Sequence, residues 1–117
     1  MEKAKSFRDL IVWQKAHAFV LEIYKMTEKL PASEKYGLVS QIRRSSVSIA
    51  ANIVEGFRKR SKLDKARFYN ISQASADETL YYLILINDLN FTQTADLQQK
   101  VNEVSKLLNS YCESLLR

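Results

Sequence analysis

Few residues of this sequence could do covalent or acid–base chemistry, and their spacing leaves them without partners. His17 is the only histidine and Cys112 the only cysteine. No HExxH-type spacing surrounds His17, which falls at the edge of an apolar helical stripe, where a partly packed boundary ring is expected. Cys112 lies on the flank of another stripe with no basic neighbour to lower its pKa, so it is expected to pack as a small apolar residue. One His and one Cys cannot complete a metal site by themselves. Asp77 and Glu78 are adjacent, but successive helical residues point about 100° apart and form no carboxylate dyad. Gly37 and Gly56 are isolated, so no phosphate-cradling loop exists. The sequence implies a protein that is not an enzyme, with no catalytic residues, metal or cofactor.

The best-marked chemical feature is basic. Between Gly56 and Arg67 the chain carries Arg58, Lys59, Arg60, Lys62, Lys65 and Arg67 against the single acid Asp64. Phe57, Phe68 and Tyr69 interleave aromatic rings able to stack on bases, although Phe57 also falls on a core stripe. Arg43 and Arg44 add charge one face away. These eight cations are the candidate nucleic-acid-binding residues. If all six of the junction met phosphates, log affinity would fall with log salt at a slope of roughly −4, on the single-strand coefficient. A protein partner and simple solvation of the charges are the competing explanations. Asn52 and Glu55 fall beside this feature, as a polar network at a subunit boundary or as an ordinary surface pair. Glu55 is placed to pair locally with Arg58 or Lys59.

These residues must be held by helices. Two Gly and one Pro in 117 residues leave little room for the turns of a β-sandwich. The apolar periodicity predicts four helices: about Leu10–Leu30, ended by Pro31; about Leu38–Lys59, capped by Ser33 or Ser40; about Leu63–Leu89; and about Ala95–Leu116, capped by Thr94 or Thr92. The second carries one stripe at Val39, Ile42, Ser46, Ile49, Ile53 and Phe57, and a second stripe at Val47, Ala50 and Val54. The third is apolar on all sides from Leu80 to Ile86, as a helix buried all round would be. The fourth has one narrow seam: Leu97, Val101, Val104, Leu108, Tyr111 and Leu115. Short links favour an up-down-up-down antiparallel four-helix bundle as a single domain, residues 1–117. The second and third helices have too little polar surface for a lone bundle, so assembly into a homo-oligomeric ring is expected, with the basic junction recurring around it.

Residues 1–67 carry a net charge of +8 and residues 68–117 a net −3. The basic half suits an anionic partner such as RNA or DNA. Met1–Lys5 is charged and no apolar h-region follows, against an ordinary secretory signal. The apolar run at Tyr81–Ile86 is far short of the ~20 residues needed to span a bilayer. With one cysteine as well, a cytoplasmic protein with no membrane role is expected.

The string Gln41-Ile42-Arg43-Arg44-Ser45-Ser46-Val47-Ser48-Ile49-Ala50-Ala51-Asn52-Ile53-Val54-Glu55-Gly56-Phe57 closely resembles the signature of the 23S rRNA intervening-sequence proteins, the bacterial four helix bundle protein family. Phe7-Arg8-Asp9-Leu10-Ile11-Val12-Trp13-Gln14-Lys15-Ala16 and Ser75-x-x-Glu78 are similar to its pattern too. The sequence departs from it at Ala74 and Arg58, where the family often has Gly. The resemblance implies an up-down four-helix bundle assembled as a homopentamer, with no assigned catalytic residues. A similar group of accessory proteins in diversity-generating retroelements binds nucleic acid and a reverse transcriptase. That implies either direct RNA or DNA binding here, or an adaptor whose protein partner carries the chemistry.

Overall fold

The computed structural model describes residues 3–117; Met1 and Glu2 lie outside it. Four long helices account for most of the chain: α1 Ile11–Thr27, α2 Leu38–Arg58, α3 Lys62–Asp88 and α4 Ala95–Leu116. Short 3-10 turns at Phe7–Asp9 and Ala32–Glu34 precede α1 and α2, and no strand occurs among the described residues. Each helix packs against two others: α1 and α3 both meet α2 and α4, while α1–α3 and α2–α4 lie diagonally across the bundle. The core between them is filled by Phe19, Ile23, Ile42, Ile49, Ile53, Leu83, Ile86 and Leu108, each essentially inaccessible. Burying each such side chain contributes roughly 1.5–3 kcal/mol, which sets the packing of four amphipathic faces.

The helix ends depart from the expected caps in instructive ways. α1 stops at Thr27, four residues before Pro31, whose ring would clash with the Thr27 carbonyl in a continued α-helix; Thr27 Oγ1 donates to the Tyr24 carbonyl at 3.0 Å. The next three residues continue in tighter i→i−3 turns that carry Leu30 into the core. Neither Ser33 nor Ser40 caps α2. Gly37 is its N-cap residue, and the Glu34 carboxylate accepts from the Leu38 N–H at 3.3 Å, placing negative charge at the positive end of the helix. Thr94 does precede α4 but caps no N–H there; its hydroxyl donates to the Leu83 carbonyl at 2.7 Å and ties the α4 start to α3. α3 ends with Asn90 in the left-handed region at φ 62°, and the Phe91 N–H reaches the Ile86 carbonyl, a Schellman-type stop.

The third helix is not buried all round. Leu83 and Ile86 are inaccessible, but Tyr81 is 58% and Ile84 39% exposed. Val47, on the second stripe of α2, is 41% exposed. The four helices alone cannot cover those faces.

Candidate nucleic-acid interface at the α2–α3 junction

The junction is built by one unusually close approach. Gly56, near the end of α2, lies against Tyr69 of α3; a Cβ on Gly56 would stand 2.7 Å from the Tyr69 ring. Below it, α2 and α3 are laced by hydroxyls. Ser72 Oγ donates to the Ile49 carbonyl at 2.7 Å, Ser48 and Ser75 share a hydrogen bond at 2.8 Å, and Ser45 and Thr79 share one at 2.7 Å. Small residues allow the approach, and the hydroxyls find partners across it, fully buried at Ser72 and Thr79 and half-buried at Ser48. Tyr69 is itself buried, with its ring 6.3 Å from that of Tyr111 on α4. Burial first, then the neighbouring Tyr111 and Cys112, push its hydroxyl pKa up to about 12.

The eight candidate cations separate into engaged and open ones. Lys65 is engaged: its ammonium donates to the Phe57 carbonyl at 2.6 Å and the Gly56 carbonyl at 3.4 Å, closing the C-terminus of α2. Its position there suits the helix dipole, and partial burial lowers its pKa. Arg43 is engaged at the other end of α2, far from the junction. Its Nε donates to Thr27 Oγ1 at 2.9 Å, and its guanidinium lies 4.4 Å from the Tyr24 ring centroid. Lys59 rests over the Phe68 ring at 4.7 Å, and Arg67 makes a 3.7 Å ion pair with Asp64. Arg58, Arg60, Lys62 and Arg44 are exposed, and none has a carboxylate within 4.0 Å among the described residues. Arg44 stands fourteen residues before Arg58, about 21 Å away along α2, so it belongs to a separate site. It lines a shallow groove of about 600 Å³ with Tyr24, Val47, Ser48, Asn52 and Glu55.

Asn52 is held within that groove: its amide donates to the Ser48 carbonyl at 2.8 Å and the Ser48 hydroxyl at 3.0 Å. Glu55 pairs with neither Arg58 nor Lys59 within 4.0 Å, so the local ion pairs open to it by spacing do not form. Cys112 is half-buried, its thiol pKa raised by burial, and its Sγ sits 3.7 Å from Gln73 Oε1. Phe57 is half-buried beneath the Lys65 ammonium, so its ring is committed to the junction and is not open to a base.

The structure also brings in residues that the basic run did not single out. Lys3, Lys5, Leu10 and Ile11 line one cavity with Tyr111, which meets Tyr69, which meets Gly56. The chain's start therefore shares an end of the molecule with the α2–α3 junction. Lys3, Lys5 and Arg8 there are all exposed. The signal in the sequence was the basic, aromatic opening Lys3–Trp13; only the pairing of helix ends shows which basic run it joins.

No helix is long and apolar enough to cross a membrane, and no group of three metal-ligating side chains occurs among the described residues. No curated protein matches the chain. A crystal structure from Bacteroides thetaiotaomicron, of a protein with unknown function from the S23 ribosomal protein family, is similar to it. The two share 29% identity and a TM-score of 0.82 over 88% of this chain and 96% of that one. The family described as 23S rRNA-intervening sequence protein matches residues 8–110, and with this fold alongside it the chain belongs to that family.

Proposed function

We propose that the protein is a non-catalytic, cytoplasmic, homo-oligomeric up-down-up-down bundle that binds nucleic acid, RNA foremost, through the end bearing Arg58, Arg60 and Lys62. One observation carries this: three exposed cations within five residues, none with a carboxylate in reach, at an end to which Lys3, Lys5 and Arg8 also come. Unneutralised surface cations gain most from phosphate, because binding releases condensed counterions without breaking a pre-existing ion pair. The antiparallel reading rests on the pairings Ser45–Thr79, Ser48–Ser75 and Ile49–Ser72, in which one number falls as the other rises. Oligomerisation is supported by the exposed apolar residues Val47, Tyr81 and Ile84 on the two helices whose sequence has least polar surface.

The test is charge reversal at the open positions only. Arg58→Glu, Arg60→Glu and Lys62→Glu together should abolish the retardation of RNA in a low-salt gel, while Arg67→Glu, which removes an already paired charge, should weaken it far less. Retardation that survives the triple reversal refutes the interface. A protein adaptor is the second reading, favoured by the same exposed apolar residues of α3. A stoichiometric partner that co-purifies with no retained nucleic acid would select it.

A further inference from the structure

At the start of the chain Trp13, half-buried against the core, anchors an aromatic stack that runs out to solvent. The rings of Trp13 and His17 are parallel, 5.0 Å apart with 4° between their planes, and His17 is exposed. Phe7 braces the outer edge of Trp13 at 5.0 Å and 71°. The turn that carries Phe7 has no buried residue, yet it is firmly organised. Ser6 Oγ accepts from the Arg8 N–H, the Asp9 carboxylate accepts from the Ser6 and Lys5 N–H groups, and Gln14 Nε2 donates to the Arg8 carbonyl at 2.8 Å. Exposed turns usually fray unless something is gained by ordering them.

The stack also lies at the level of the open cations. Trp13 shares a helical stripe with Tyr24 and Thr27, both of which touch Arg43 of α2. Trp13 to Thr27 is fourteen residues, as is Arg43 to Phe57, each about 21 Å of helix. With Ile11 at the same end as Gly56, Trp13 falls at the level of Phe57 and Arg58 along the bundle. Exposed ring faces next to unneutralised cations are the two parts of a single-strand site: charge follows the backbone, and the rings receive bases. A duplex cannot use the rings, because its bases are already stacked.

We infer that the site prefers single-stranded nucleic acid, with a base stacking on the open face of His17 to extend the Trp13–His17 stack and with phosphates held by Arg58, Arg60, Lys62 and Arg8. This rests on the nucleic-acid reading of the same end and adds the strand state and the base-contacting residues.

Trp13 is the only tryptophan, so its fluorescence reports on this stack alone. Titration of the full chain with single-stranded poly(U), poly(A) and oligodeoxythymidine should quench it in step with binding followed by anisotropy of a labelled strand. Duplex RNA should bind more weakly and leave the emission unchanged. His17→Ala should weaken single-strand binding about tenfold, as expected for losing one stacked base, and leave duplex binding unaltered. His17→Phe should restore most of it, since a planar ring is retained. Salt-sensitive binding with unchanged Trp13 emission, or equal loss in His17→Ala and His17→Phe, overturns this inference and leaves the charged interface standing. Absence of binding to every strand overturns both.

Discussion

At the scale of single residues, two side chains decide the geometry of the junction, and neither is remarkable in type. Gly56 has no Cβ, and none could be accommodated: the nearest atoms are two carbons of the Tyr69 ring at 2.7 and 2.9 Å and the Phe68 Cβ at 3.2 Å. Alanine would ordinarily gain about 1 kcal/mol over glycine inside a helix. Here it must push a buried ring, and overpacking of that kind costs about 1–3 kcal/mol. Gly56→Ala should therefore gain nothing from its better helix propensity and lower stability by up to about 2 kcal/mol in urea unfolding. A raised midpoint would show that Tyr69 gives way freely. Lys65 works from the other side of the same contact, its ammonium donating to the Phe57 carbonyl and to the Gly56 carbonyl, which also accepts from the Lys59 N–H. One of the six cations of the basic run is thereby structural, which no count of charges could reveal.

At the scale of elements, the helix bounds were legible because they follow period and chain-breakers. α4 has its expected range, and the other three differ from theirs by one to three residues at an end. Thr94 was legible as the residue before α4, but the bonds at the helix ends were not: Glu34, Thr94 and Asn90 act through contacts with other parts of the chain or through local φ, which periodicity does not encode. Nor was the hydroxyl layer between α2 and α3. Ser45, Ser48, Ser72, Ser75 and Thr79 read as small or polar, and only pairing reveals that they satisfy each other. Of the candidate site, the junction cations were visible as a run, whereas the separation of Arg43 and Arg44 from them follows from helix length. The hydroxyl layer makes a specific energetic prediction. Ser45 and Thr79 are both buried, and each hydroxyl also lies within hydrogen-bond distance of a backbone carbonyl of its own helix, so two protons are shared among three contacts. Thr79→Val or Ser45→Ala alone should each cost about 1–2 kcal/mol by stranding a partner. The double variant should cost clearly less than the sum, with a coupling of about 0.5–1 kcal/mol in urea-unfolding cycles. Strict additivity would mean the pair contributes nothing beyond its two backbone bonds.

At the scale of the whole molecule, shape and charge act together. The chain is a rod of 46 × 23 × 21 Å, with Arg58, Arg60 and Lys62 at one end, further exposed cations such as Lys25, Lys35 and Arg44 towards the other, and exposed apolar side chains on α1, α2 and α3. On the proposed assembly, multi-angle light scattering should give a mass several times the 13.5 kDa of the chain, and a single monomeric mass would remove the ring from the proposal. The same end then sets a quantitative salt dependence. Lys65 closes a helix, Arg67 is paired with Asp64 and Lys59 lies on Phe68, so counting six equivalent phosphate contacts overstates what is available. Arg58, Arg60 and Lys62 remain, joined by Arg8 from the start of the chain, and on the single-strand coefficient four contacts give a slope of log affinity on log salt of roughly −3 per chain engaged. Anisotropy titrations over a series of salt concentrations measure this directly, and Lys62→Gln should make the slope shallower by about 0.7. A slope near −4 for one chain's site would mean that Lys3 and Lys5, or the engaged cations after releasing their protein partners, also meet phosphate. A slope near zero would mean that phosphate is not what this end recognises.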